Sequence, residues 1–159
     1  MSKQTDYTPE EWKTISAAPV MAGLLVTVSD LSGPIGTAKE AFAVIKGVTD
    51  TAGTSNELIK AVADGITQRG RPEMPDLPND PASVRSALID GCKRALAVVV
   101  QKSPAEADEY KQWLTSLAQK TAEASKEGGF LGIGGVQVSK EENTAVNELS
   151  TALGLSAKA

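Results

Sequence analysis

Apolar positions recur every three or four residues along most of the chain, which is the period of an α-helix with one buried face. Clear examples are Leu58, Val62 and Ile66 in one segment and Val84, Leu88 and Val99 in another. The one alternating stretch, 136–138, is too short for a strand of a sheet. The pattern predicts an all-α fold, a bundle of six or seven helices.

Six predicted helix starts agree with these apolar stripes. In five of them a hydroxyl residue is followed three residues later by Glu, so that each side chain caps a free backbone N–H of the first turn. The five are Thr8–Glu11, Thr37–Glu40, Thr54–Glu57, Ser103–Glu106 and Ser139–Glu142, and Asp80-Pro81 is a sixth start without the Glu. One such match is common by chance, but five matches followed by helical stripes favour a helical protein.

The most apolar stretch of the chain, 17–28, is apolar on nearly all sides, which predicts a central, buried helix. It has about 12 residues, whereas a membrane-spanning helix needs about 20, so no transmembrane segment is expected. Because proline lacks a backbone donor and disrupts a helix interior, Pro19 predicts two separate helical segments, 8–16 and 18–30.

A proline-rich linker, 70–81, divides the predicted single domain 1–159 into two halves, 1–69 and 82–159. Four prolines recur at every third residue of the linker, namely Pro72, Pro75, Pro78 and Pro81. This spacing fits a stiff connector or a ligand of a proline-binding module, and the acidic residues of the segment favour the connector. Each half holds a long helix, a glycine-bearing loop and a capped helix, a layout that suggests duplication.

Composition narrows the classes of function. The 159-residue chain has 16 Lys and Arg against 20 Asp and Glu, a net charge of −4, so a nucleic-acid-binding role is not expected. The two arginines of Gln68-Arg69-Gly70-Arg71 are too few for a basic patch. With no His and a single Cys, the chain lacks the residues of a histidine-based catalytic centre and of a Cys cluster for zinc. Cys92 is predicted to be a small buried apolar residue.

The first glycine-bearing loop is flanked by two carboxylates, Asp30 and Glu40. If the helices on either side form a hairpin, both carboxylates and the loop carbonyls can converge on calcium or magnesium, which prefer oxygen ligands. The segment fails the EF-hand pattern, because Ile35 stands where that loop needs Gly. The alternative is that Asp30 only caps a helix end and Glu40 only closes a capping box.

The second loop carries five glycines between Gly128 and Gly135, together with the apolar residues Phe130, Leu131 and Ile133. These three side chains either pack into the core or form an apolar tip that docks on a protein partner, a second copy of the chain or a membrane surface. The loop lacks the lysine of a phosphate-binding loop. Glu127 and Glu142 flank it, as a second and weaker candidate pair of cation ligands.

The first loop resembles the signature of the tellurite-resistance TerB-like helical family. The resemblance rests on the apolar run 24–28 that leads to Asp30, and then on Gly33, Ile35, Thr37 and Glu40, with Gly135, Val136, Val138, Ser139 and Glu142 in a similar role in the second loop. It departs from that signature where Leu31-Ser32 separates Asp30 from Gly33. The resemblance implies an all-helical fold of two related halves, acidic residues able to hold a metal ion, and a stress-associated accessory role without catalysis.

The sequence thus predicts a non-enzymatic, cytoplasmic, bacterial-type accessory protein that binds a divalent cation through Asp30 and Glu40. The alternative is a helical scaffold that uses the loop 128–135 for protein docking or self-association. No pair of residues suited to acid–base or nucleophilic catalysis stands out from the ordinary surface carboxylates.

Overall fold

The computed structural model describes residues 3–29, 44, 46–48, 50, 54–126 and 138–156. After a 3₁₀ turn at Gln4–Asp6 come five α-helices, α1 (Pro9–Ser29), α2 (Glu57–Arg69), α3 (Pro81–Lys102), α4 (Pro104–Lys126) and α5 (Lys140–Ala152). Val44 and residues 46–48 are also helical, and the described ranges contain no strand. The prediction of an all-α bundle is confirmed.

Helix α1 forms the centre of the bundle. It packs most extensively on α3, then on α4 and α5, and touches α2 less. Eleven of its residues are buried, from Ile15 to Ser29, and they point in all directions around the helix axis. A helix surrounded by other helices has no solvent face to fill with polar residues, which explains why this stretch is apolar on nearly all sides.

The predicted break at Pro19 is wrong, because α1 runs without interruption through this residue. Pro19 has no N–H to donate to the carbonyl of Ile15, four residues earlier. The hydroxyl of Tyr110, a fully buried residue of α4, donates to that carbonyl at 2.7 Å. A side chain from another helix therefore replaces the missing backbone donor, and the helix continues with its buried polar groups satisfied.

Capping hydrogen bonds confirm three of the predicted helix starts. At α1 the Thr8 N–H donates to Glu11 Oε2 at 2.8 Å, and the Glu11 N–H donates to Thr8 Oγ1 at 3.2 Å. At α5 Ser139 and Glu142 form the same reciprocal pair. At α3 Asp80 accepts from the Ser83 N–H at 2.9 Å.

The predicted start at Thr54–Glu57 is wrong by two residues, because the N-cap of α2 is Asn56. Its Oδ1 accepts from the Ile59 N–H at 3.0 Å, while its Nδ2 donates to the Glu106 carbonyl at 3.3 Å. The Glu106 carboxylate in turn accepts from the Leu58 N–H at 3.1 Å. Asn56, by itself a stronger N-cap than Thr, therefore caps α2 and also ties it to the first turn of α4.

The segment 70–80 joins α2 to α3 without helical structure. It lies against the bundle, because Met74 and Leu77 pack half-buried on the core and Glu73 forms an ion pair with Lys13 of α1. The relation between the halves 1–69 and 82–159 stays a prediction.

By length and composition α1 is able to cross a membrane, and it is the one such helix among the described residues. However, 61% of its apolar window is buried inside the protein. Core helices of soluble proteins meet the same criteria, so α1 is weak evidence for a membrane span.

Gly23 sets the distance between α1 and the helical segment that contains Val44. A Cβ added at Gly23 would overlap the Cγ2 atom of Val44, which is itself 2% exposed. The absence of a side chain at this position therefore lets the two elements approach closely.

We expect Gly23→Ala to destabilise the protein by about 1 kcal/mol. Overpacking a core costs about 1–3 kcal/mol, and the higher helix propensity of Ala recovers part of this. Gly65 of α2 is the matched control, because a Cβ there would meet nothing within 4 Å. Gly65→Ala should stabilise by about 0.5–1 kcal/mol, and urea unfolding of both variants measures the difference. Equal stabilisation by the two substitutions would contradict the packing role of Gly23.

Candidate functional site

Most of the predicted site residues lie outside the described residues. This applies to Asp30 and Glu40 of the first loop and to the second-loop residues Glu127, Phe130, Leu131 and Ile133. Their predicted roles as cation ligands and as an interaction loop stay predictions.

Glu142 is the one predicted ligand that the structure describes, and it is 2% exposed at the start of α5. Its Oε2 accepts from the Ser139 N–H at 2.9 Å, and its own N–H donates to Ser139 Oγ at 3.1 Å. This carboxylate therefore caps the start of α5, as the capping pattern in the sequence predicts. Within the described ranges no group of three or more Cys, Asp or Glu is placed to hold a metal ion.

Two described segments, one before and one after the first loop, are in contact. The described part of α1 reaches Ser29, whose Oγ donates to the Leu25 carbonyl at 2.7 Å. Val44, on the far side of the loop, packs against Gly23 of α1. The segment that contains Val44 therefore contacts α1. The hairpin that the cation hypothesis needs stays a prediction.

Cys92 is buried completely in α3, where its thiol faces the Ala18 carbonyl at 3.6 Å. Burial raises the pKa of the thiol from 9.0 to about 12, so the nucleophilic thiolate is almost absent at neutral pH. The prediction of a small buried apolar residue is confirmed. Tyr110 is also fully buried, and loss of solvent raises the pKa of its hydroxyl well above the usual 10.

A groove of about 380 Å³ lies between α1, α2 and the start of the 70–80 segment. Its walls are the 9–16 face of α1, with Trp12 and Lys13, and the 62–70 face of α2. The chain 71–73 closes one end. The volume lies within the range of small-ligand sites, about 300–1,000 Å³.

The groove has an apolar floor and a mainly cationic rim. Val62 and Ile66 are buried in the floor, and Trp12 is half-buried with its ring 5.8 Å from that of Tyr7. The rim carries Lys13, Arg69 and Arg71 with one carboxylate, Glu73, which pairs with Lys13. Such a surface suits a ligand that has both an apolar part and negative charge.

The groove is not predicted by the sequence, although two of its cationic residues stand out there. The two arginines of Arg69-Gly70-Arg71 stand out in the sequence but form no patch by themselves. Gly70 adopts a φ of 83°, a left-handed conformation that turns the chain so that the residues on both sides of it line the same groove. Lys13 joins them from a distant part of the chain, which only the packing of α1 on α2 reveals.

A smaller concavity of about 270 Å³ lies between α4 and the residues before α2. It is lined by the carboxylate residues Asp50 and Glu109 and by the half-buried Trp113, whose ring lies 5.9 Å from that of Tyr110. Its acidic lining contrasts with the cationic rim of the α1–α2 groove.

Comparison of the chain with protein-family models, with curated proteins and with solved structures found no match.

Proposed function

We propose that the protein is a non-enzymatic helical accessory protein of the TerB-like, stress-associated kind, which binds a divalent cation through Asp30 and Glu40. The observation that supports the proposal is the contact between Val44 and Gly23. It brings together the two chain segments on either side of the loop that carries both carboxylates.

The C-terminal end of a helix favours a cation. The last four carbonyls of a helix have no intrahelical donor, and the helix dipole places partial negative charge at that end. The last turn of α1 contains no basic residue to compensate this charge. A divalent cation held by Asp30 and Glu40 would neutralise the carboxylates and this helix end together, and would tie α1 to the segment that contains Val44.

The test is calorimetric titration of the protein with calcium, magnesium and manganese. We expect saturable heat for at least one of the three ions, and its loss in both Asp30→Ala and Glu40→Ala. Asp64→Ala removes an exposed carboxylate of α2 and should leave the heat unchanged. An absence of heat in the unmodified protein, or equal heats in all four proteins, would contradict the proposal.

The proposed assignment includes a cytoplasmic location and two related halves joined by the 70–81 linker. In this arrangement the bundle is a rigid support that holds the two loops, and the chemistry of the protein resides in the first of them.

A further inference from the structure

The groove between α1 and α2 differs in charge from the protein as a whole. The chain has a net charge of −4, and Lys13 at the rim pairs with Glu73 and lies near two further carboxylates, Glu10 and Asp76. The uncompensated positive charge of the groove therefore lies at Arg69 and Arg71. Both arginines are exposed, and neither has an ion-pair partner among the described residues. A cationic groove on an acidic protein favours ligands of negative charge.

We propose that this groove binds a short, extended, acidic segment of a partner protein, with an apolar side chain seated on Trp12 and acidic side chains paired with Arg69 and Arg71. Guanidinium groups hold carboxylates through paired, charge-assisted hydrogen bonds. The floor formed by Val62 and Ile66 supplies the apolar surface on which such a side chain is buried.

The protein already contains one contact of the proposed kind. Glu73 lies in a non-helical part of the 70–80 segment, directly after Pro72, and its carboxylate pairs with Lys13 at the rim of the groove. A non-helical stretch of chain with a carboxylate thus forms part of the groove wall. Along the rest of the groove, Arg69 and Arg71 have no carboxylate partner among the described residues. Their guanidinium groups are therefore free to pair with the carboxylates of a bound peptide.

The dimensions of the groove fit about three residues of extended chain. Its α1 wall runs from Pro9 to Ser16, about 10 Å at the rise of an α-helix, and an extended chain advances about 3.3 Å per residue. On the opposite wall the groove is open at Gly65, since a Cβ at this position would meet nothing within 4 Å. The site therefore suits an acidic–apolar–acidic sequence rather than a folded surface.

The experiment uses synthetic peptides with blocked ends, Asp-Glu-Leu-Glu-Asp and its charge-reversed counterpart Lys-Lys-Leu-Lys-Lys. Binding is followed by tryptophan fluorescence in a Trp113→Phe background, so that Trp12 is the sole indole of the protein. We expect saturable binding of the acidic peptide at millimolar concentration, weakened by salt, and no saturable change with the basic peptide.

Two variants test the geometry. Arg69→Gln with Arg71→Gln should weaken binding at least tenfold, and Gly65→Leu should abolish it by filling the groove. Arg94→Gln, which removes one exposed arginine of α3, is the control for a loss of positive charge outside the groove and should bind as before. Thermal melts verify that each variant is folded. Each variant should also give the same heat of cation binding as the unmodified protein in calorimetric titration. This result separates the test of the groove from the test of the cation site.

Three results would overturn the proposal. The first is no saturable response to the acidic peptide, and the second is equal binding by the Gly65→Leu variant. The third is equal binding of a polyphosphate chain without any apolar group, which would show that the arginines act as a simple anion site and that Trp12 and Ile66 play no part.

Discussion

Replacement of Tyr110 by Phe is expected to lower the free energy of unfolding by about 1–3 kcal/mol, although it removes a single oxygen atom. The cost arises because the Tyr110 hydroxyl donates to the Ile15 carbonyl at 2.7 Å in the core of the bundle. Pro19 has no N–H with which to satisfy that carbonyl, so the variant leaves a buried acceptor without a donor. Urea unfolding followed by circular dichroism measures the change.

A double-mutant cycle isolates the reason for this cost. Pro19→Ala restores a backbone N–H that can bond the Ile15 carbonyl, so Tyr110→Phe should cost less than half as much in that background. Trp113→Phe, which leaves the bond between Tyr110 and Ile15 in place, is the control and should show the same cost in both backgrounds. An identical cost of Tyr110→Phe with and without Pro19 would show that the hydroxyl does not replace the missing donor.

Above pH 9 the protein is expected to lose stability steeply, and Cys92 accounts for part of the loss. In the unfolded chain this thiol ionises near its ordinary pKa of 9.0, whereas burial raises the pKa of the folded state to about 12. The folded state therefore binds more protons between pH 9 and 12, and stability falls as pH rises through this window. Three pKa units correspond to a loss on the order of 4 kcal/mol.

The comparison with Cys92→Ala separates this contribution from that of other groups. Burial also raises the pKa of Tyr110, so part of the alkaline loss should remain in the variant. The dependence of the unfolding free energy on pH should become shallower by about 1.4 kcal/mol per pH unit between pH 9 and 12. Below pH 8 the two proteins should differ only by a pH-independent packing cost of about 1 kcal/mol. Parallel pH profiles of the two proteins throughout this range would contradict the assignment.

The helices can be predicted from local patterns in the sequence. A capping pair joins residues three positions apart, and the buried face of a helix shows as apolar residues repeated every three or four positions. Thr8, Asp80 and Ser139 cap the helices that their surroundings predict. The two errors involve distant partners. Pro19 remains within a helix because Tyr110 lies against it, and Asn56, by itself a stronger N-cap than Thr, caps α2 and also ties it to Glu106.

The same distinction applies to the candidate sites. The carboxylates Asp30 and Glu40 can be proposed from sequence because they flank one loop and belong to one local pattern. The α1–α2 groove cannot be proposed in this way, since Lys13 and Arg69 lie far apart in the chain and meet only through the packing of two helices. The order of residues in the sequence does not indicate which faces of two helices pack together. The cationic residues of the rim can therefore be identified only from the folded structure.

The central position of α1 has a consequence for synthesis of the protein. The Tyr110 hydroxyl follows its Ile15 partner by 95 residues, and α3, α4 and α5 are all translated after α1. At about 5–20 residues per second, the ribosome releases α1 roughly 5–20 s before α4 is able to cover it. During that interval the most apolar helix of the nascent chain lacks its native neighbours and presents a binding surface to chaperones at the exit tunnel.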